Sequence, residues 1–367
     1  MTFLSKRLLI SLFCFRSPVE AASASSCRSN ATHIAWKSPT KELRSLPSFG
    51  TRRAQVAVTT TTTAPSCQYQ TRSEAEQDCL QYLKDNLMAM DIPFQHTMGF
   101  PSPNDDDEAD GLSNGLVGPT VTLALDAKVL YPWTDDLPLD IFQNYVLNYA
   151  NFNEARTNWR PLLVDTLNFT DTELYKSHNG QPNANVNVSL VVTWVNTVLW
   201  TKLGRSGHPI YFKSSQTPLI MDPMSTIAFG YASCTGTSIL FSNALRAVGI
   251  AARVVGTPAW YGDPSQGNHN WVEVYDEQHG NWKFLEPSPN LAHVDTMDDD
   301  PCNRWFCDPK RYPASKVYAA RYTKTCSEQG TTTHIPLPWE WDCTDVPGVD
   351  RTEYYTNICG LCGNTDQ

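Results

Sequence analysis

The chain has 367 residues, of which 41% are hydrophobic, so it is long enough to bury a full core in one or two domains. Its formal net charge of -10 is unevenly placed: the first 66 residues hold nine Lys/Arg against Glu20 and Glu42, leaving 19 basic and 36 acidic residues beyond them. A body that acidic repels nucleic acid and anionic lipid surfaces, which excludes both as partners.

The N-terminus has the three-part layout of a secretory signal: Lys6 and Arg7, the apolar run "LLISLFCF", then small residues around Ala22, Ser23 and Ala24. Residues 1–24 are therefore expected to be removed and the product secreted. Eight apolar residues cannot span a bilayer, and no other apolar run reaches about 18, so no membrane span is expected. Residues 25–66 are rich in Ser and Thr and end in "TTTTTAPS", a composition that fits a disordered linker or a second, transit-like address leading to an organelle.

From residue 67 the hydrophobic pattern becomes helical. Ser73 and Glu76 have the spacing of a capping box, and Cys79, Leu80, Leu83, Leu87 and Met88 follow on one helix face. The acidic stretch "PSPNDDDEADG" lacks calcium-loop spacing and reads as a solvated loop. Ile141, Phe142, Tyr145, Val146 and Tyr149 form a second apolar face, and "NVSLVVTWVNTVLWTKL" reads as a largely buried helix. Residues 67–220 thus form a mainly helical region. Asn30, Asn168 and Asn187 sit in N-glycosylation acceptor triplets, in keeping with secretion.

Residues 221–300 carry the chemistry. In "YASCTGTSILFSNALRAVGIAARVV", Thr235, Gly236 and Thr237 suit a helix start, and the apolar spacing that follows stops at Gly249. Cys234 is thereby expected at the helix N-terminus, where free N–H groups and the positive dipole end favour a thiolate. "NHNWVEVYDEQHGNWKFLEPSP" alternates as a hairpin. Its first strand places His269, Trp271, Glu273 and Tyr275 on one face, and its second places Trp282, Phe284 and Glu286 on one face, with Glu286 near His269 across the ladder. An imidazole between a thiol and a carboxylate is what thiol catalysis needs.

Residues 301–367 hold Cys302, Cys307, Cys326, Cys343, Cys359 and Cys362. With Cys67 and Cys79 they make eight, an even number expected to pair as Cys67 with Cys79 and three bridges in the tail, while Cys234 stays reduced. A zinc site on Cys359 and Cys362 is the rival reading of the tail.

The order Cys, helix, "NHNWVEVY", "NWKFLEPSP" resembles the transglutaminase-like superfamily, a branch of the papain-like thiol enzymes, over about Ser225 to Pro289. Looser similarity to microbial members extends over "DIFQNYVLNYANFNEARTNWRPLL", "CNRWF" and "YAARY". The resemblance implies an α+β fold in which a central helix bearing Cys234 packs on an antiparallel sheet, and the cysteine count adds the expectation of a disulfide-rich tail crossing its surface. It also implies Cys234 as nucleophile, His269 as base and Glu286 as the acid that orients it. Most members have Asp at that third position, so Glu273, on the His269 face, stands as the alternative. For the second oxyanion donor Trp200, Gln216 and Trp260 all remain open.

The implied activity is hydrolysis of amide bonds in protein or peptide substrates through an acyl-enzyme. Acyl transfer to an amine is the alternative within the same chemistry, and a secreted binding or structural module that kept the fold is the alternative outside it. Nothing in the constellation calls for a cofactor or a metal, and the sequence does not address the oligomeric state.

Overall fold

The structure is a computed structural model that describes residues 71–101, 115–176, 183, 185–205, 207–290, 293–308, 311–323 and 332–360. The expected leader, the Ser/Thr-rich segment, Asn30, Cys67, the acidic loop from 102, Cys326 and Cys362 lie outside these residues.

Helix α1 (Arg72–Asp85) opens with a capping box, but two residues earlier than the sequence suggested. Thr71 is the cap and Glu74 the reciprocal acid, so Ser73 lies inside the helix. Ala75, Cys79 and Leu83 form its buried stripe. Helix α2 (Val117–Leu130) packs on it, and α3 (Leu139–Phe142) continues into a π-turn over Gln143–Leu147. Helix α4 (Trp159–Leu167) and the long α5 (Val188–Lys202) complete the helical region, the latter capped by Asn187, whose side chain accepts from Leu190 N.

Strand β1 (Tyr211–Phe212) pairs in parallel with β2 (Tyr231–Ala232), with α6 (Pro223–Phe229) between them. Helix α7 (Cys234–Ala247) follows directly, and every residue from Thr235 to Ala247 is buried. Gly236 explains part of this: a Cβ there would lie 2.6 Å from the Ala232 Cβ and 3.1 Å from the Ile220 carbonyl oxygen, so only glycine lets the first turn sit so deep. The far end of α7 is tied by Arg246, whose Nε donates to the Ala252 carbonyl at 2.9 Å while a terminal nitrogen reaches Asn151 Oδ1 at 2.8 Å.

Strands β3 (Ala252–Thr257), β4 (His269–Asp276) and β5 (Asn281–Leu285) form an antiparallel meander whose hairpin turn is held by Asp276, paired with His279 and Lys283. One sheet face buries Ala252, Val272, Val274 and Leu285 against Leu240, Phe241 and Leu245 of α7, which are covered on their other side by Val191, Val195 and Leu199 of α5. The opposite face carries Val255, Trp271 and Phe284 under Phe306 and Tyr355.

The segment after residue 300 does more than cross the surface. Its strands β6 (Tyr318–Ala320), β7 (Thr332–His334) and β8 (Pro347–Asp350) extend the meander into a six-stranded antiparallel sheet ordered β5-β4-β3-β6-β8-β7, and α8 (Thr352–Gly360) covers one face. Its disulfide-rich character is not found. Cys79 and Cys307 are free and buried, so neither a Cys67–Cys79 bridge nor three bridges among the tail cysteines is present, although Cys302 is disulfide-bonded. The physical reason is packing: Cys79 and Cys307 fill apolar clusters as small hydrophobes, and Cys307 directs its sulfur toward the Pro301 carbonyl, at 3.6 Å. The mixed helix and sheet architecture is α+β, with the helix that begins at Cys234 between the helical layer and the sheet.

Candidate active site

Cys234 is the first residue of α7 and is only partly buried. The cap residue Ser233 bonds through its hydroxyl to Thr217 rather than to the helix, so it does not cap the first turn. The backbone N–H groups of Thr235 and Asn270 both donate to the Cys234 sulfur.

His269 opens β4 and is 7% exposed. Its Nε2 lies 2.8 Å from Glu286 Oε1, and the ring is hydrogen-bonded to Cys234. With Nε2 committed to the carboxylate, Nδ1 is the nitrogen that serves the sulfur. The three residues thus form one hydrogen-bonded chain, thiol to imidazole to carboxylate.

The electrostatics favour the charged pair. Burial alone would push the Cys234 thiol up, but the hydrogen bond and charge of His269, with the two backbone donors, hold it below its ordinary value. Burial alone would lower His269, yet the bonds and charges of Cys234 and Glu286 outweigh it and raise the imidazole to about 9. Both shifts run in the direction that favours a thiolate beside an imidazolium.

Glu286 follows β5 and is positioned from three sides. Its backbone N–H donates to Asp295 Oδ2 at 2.7 Å, its carbonyl accepts from Asn196 Nδ2 at 3.2 Å, and its Oε2 accepts from Trp305 Nε1 at 3.2 Å. Asn196 lies on α5 with no exposure, and its amide also accepts from Ser288 N at 2.9 Å and reaches the Asp295 carbonyl at 3.1 Å. Asp295 in turn is ion-paired with Arg304, one residue before Trp305. A two-bond bridge between Phe284 and Asp298, at 2.8 and 2.9 Å, lays this segment along β5. Trp305 therefore ends over the histidine, 4.9 Å between ring centroids, and shields the His269–Glu286 contact while staying 47% exposed itself.

Asn196, Asp295 and Trp305 were not singled out from the sequence. One signal was legible: an asparagine inside the apolar run "VVTWVNTVLW" must find partners if the helix is buried. The others depend on a loop whose path the sequence does not state.

Glu273, the alternative orienting acid, is engaged elsewhere. It is fully buried, with Oε2 on Arg253 at 2.7 Å and Oε1 on Arg351 at 3.1 Å and on the Tyr355 hydroxyl at 2.9 Å. Burial would raise its carboxyl, but the two guanidinium groups and the hydrogen bonds bring it below its usual range. Among the oxyanion candidates, Trp200 is fully buried and donates to Asn196 O in its own helix at 2.9 Å, which removes it from the site. Gln216 Nε2 donates to Ser214 O at 2.8 Å within the loop that holds Ser233, and Trp260 stacks on Tyr312 at 4.0 Å, with its ring 6.3 Å from that of His269.

The substitution-sensitive point of the site is Gly256. A Cβ there would fall within the Asn270 amide and the His269 carbonyl oxygen, so a side chain at this position would push β4 and its histidine away. Asn270 uses the space to accept from Thr235 Oγ1 at 3.0 Å, clasping the strand to the first turn of α7.

The sequence profile of the Transglutaminase-like superfamily matches residues 186–287. That span runs from α5 through β5 and includes Asn196, Cys234, His269 and Glu286. No curated protein matches the chain. A solved structure described as "a Putative Cysteine Protease from Cytophaga hutchinsonii" is similar at 14% identity and a TM-score of 0.24, covering 70% of this chain and 68% of its own.

Proposed function

We propose that this chain, which carries a transglutaminase-like core over residues 186–287, is a thiol hydrolase of amide bonds in protein or peptide substrates. The observation that carries the reading is the hydrogen-bonded chain from Cys234 through His269 to Glu286, with 2.8 Å between His269 Nε2 and Glu286 Oε1.

In this reading the Cys234 thiolate attacks the carbonyl carbon, and the negative charge passes to the carbonyl oxygen. Backbone N–H groups at the start of α7 would receive that oxyanion. The C–N bond then breaks as His269 gives its Nδ1 proton to the leaving amine, which leaves a thioester on Cys234 and a neutral imidazole. Water attacks the thioester, His269 takes its proton, and the acid departs as the thiolate and imidazolium are restored. Glu286 stays ionised throughout and holds Nε2–H, so that Nδ1 remains the nitrogen that exchanges protons. Transfer of the acyl group to an amine would differ only in the species that meets the thioester.

The test is incubation of the purified protein with an amide-mimicking thiol electrophile, with mass mapping of the adduct. Modification at Cys234 that is lost in His269→Ala supports the reading, and an unmodified Cys234 overturns it. Incubating a glutamine-bearing protein with a fluorescent primary amine separates the outcomes, since incorporated label marks transfer and released ammonia or peptide marks hydrolysis.

A further inference from the structure

Glu286 is pinned at both of its backbone polar groups. Its N–H is tied to Asp295 Oδ2 at 2.7 Å and its carbonyl to Asn196 Nδ2 at 3.2 Å, so the carboxylate has only the reach that its side chain supplies. At the end of that side chain the two oxygens serve different partners. Oε1 lies 2.8 Å from His269 Nε2, and Oε2 accepts from Trp305 Nε1 at 3.2 Å. The second bond has a mechanical consequence. The terminal torsion of a glutamate is soft, so a carboxylate held at one oxygen alone swings readily about its last carbon–carbon bond. Held at both, it keeps Oε1 on the histidine.

Trp305 lies outside the superfamily match and is set between two anchors. Before it, Arg304 is ion-paired with Asp295 and with Asp298, the latter at 3.1 Å, and donates to the Thr296 carbonyl at 2.9 Å. After it, Phe306 is 1% exposed and packs with Val255, Trp271 and Phe284 of the sheet. Asp298 in turn exchanges both backbone hydrogen bonds with Phe284, two residues before Glu286. The indole N–H is thus referenced to the same strand, β5, that leads into the acid. Its ring is half exposed, but its base is fixed.

We propose that Trp305 is a positioning residue of the thiol chemistry: its indole N–H holds the outer oxygen of Glu286, and this bridge is what makes glutamate, rather than the shorter aspartate, the acid that fits here. With the backbone pinned, aspartate would lose one carbon–carbon bond of reach, about 1.5 Å, and could not meet the imidazole and the indole together. A hydrogen bond to an ionised acceptor belongs to the stronger class, so its loss is large enough to be read in the behaviour of the pair it supports. The N–H of Trp305 reaches no reacting atom and acts through Glu286. The inference rests on the thiol-hydrolase reading and adds to it a residue beyond the matched span 186–287.

The experiment follows the rate at which iodoacetamide alkylates Cys234, read by mass mapping of its peptide, against pH in the wild type, Trp305→Phe, Glu286→Asp and the double variant. Phe keeps an aromatic ring beside His269 and removes the N–H. Trp305→Phe should raise the pH of half-maximal alkylation by about half a unit or more, because a loosely held carboxylate supports the imidazolium less and the imidazolium supports the thiolate. Glu286→Asp should shift it in the same direction. Adding Trp305→Phe to Glu286→Asp should shift it little further, since the bridge is already gone; a residue that merely stabilised the fold would act alike in both backgrounds. Arg304→Gln, which frees the segment before Trp305, should repeat this pattern, and the Trp305→Phe comparison decides the matter even where Arg304→Gln does not fold. An unmoved midpoint in Trp305→Phe, or the same shift with and without Glu286→Asp, overturns the inference while leaving the thiol reading intact. A wild-type Cys234 that is not alkylated below the ordinary thiol range overturns both.

Discussion

Asn196, buried in the middle of α5, donates to the backbone carbonyl of Glu286 across 3.2 Å, so a helix 90 residues upstream sets where the acid of the site stands. The same amide holds Ser288 and reaches Asp295, which makes it the junction of the loop that carries Glu286. Removing it in Asn196→Ala leaves buried carbonyls and an N–H without their partner, at a cost of about 1–3 kcal/mol. The expected outcome is a lower Tm together with a lower kcat, since Glu286 loses its support while the substrate contacts remain. Thermal denaturation beside steady-state kinetics checks it; a fall in Tm with unchanged kcat would make Asn196 structural alone.

The three residues of the hydrogen-bonded chain differ in what they are asked to do, and their substitutions should differ accordingly. Cys234→Ala and His269→Ala should each lower turnover by a factor of about 10³ or more, because in the proposed mechanism both exchange bonds or protons with the substrate. Glu286→Gln should cost less, since an orienting group takes no part in bond making. Turnover on a peptide amide in each purified variant is the measurement, and wild-type turnover in Cys234→Ala would end the enzyme reading.

The pH profile follows from the two shifts. In the proposed mechanism the active form has the thiolate and the imidazolium together, so activity should fall as pH drops through the Cys234 ionisation, which lies below the ordinary thiol value. It should fall again as pH rises through His269, at about 9. Glu286 is one of the groups that raises His269, so Glu286→Gln should move the alkaline limb to lower pH. The reading is kcat/KM against pH; an alkaline limb that stays in place in that variant would separate Glu286 from the histidine.

Glu273 gives the opposite signature. It is the shared carboxylate of Arg253 and Arg351 in the sheet interior, and Arg253 lies over the Trp282 ring at 3.8 Å. Glu273→Ala strands a buried guanidinium and should destabilise the fold by about 3–5 kcal/mol. Chemical denaturation measures the loss, and the folded fraction should keep the wild-type pH profile, which Glu286→Gln does not.

Thiol reactivity separates the described cysteines. Burial pushes the Cys79 thiol up to about 12 and the Cys307 thiol higher still, whereas Cys234 is partly exposed and shifted down. Iodoacetamide at neutral pH should therefore label Cys234 in the native protein and reach Cys79 and Cys307 only after denaturation. Peptide mapping before and after denaturant reads this directly, and native labelling of Cys79 would contradict its place in the core.

Much of the site was legible in the linear chain because its signals are local. A run of Thr235, Gly236 and Thr237 before an apolar helix puts Cys234 at an N-terminus, and strict alternation around a short turn puts His269 and Glu286 on one face of a hairpin. Both follow from backbone geometry over a few residues. The choice between Glu286 and Glu273 was not local. Both acids lie on the same sheet face, and only the arrival of Arg253 from β3, and of Arg351 and Tyr355 from about 80 residues away, commits Glu273 to the interior. Cysteine pairing failed for the same kind of reason. An even count says that bridges could form, but whether a thiol meets another thiol or fills an apolar gap depends on the three-dimensional path of the chain, as Cys79 and Cys307 show. The tail that supplies half the sheet and sets Trp305 over His269 was placed by long-range pairing, which short, proline-broken segments do not announce.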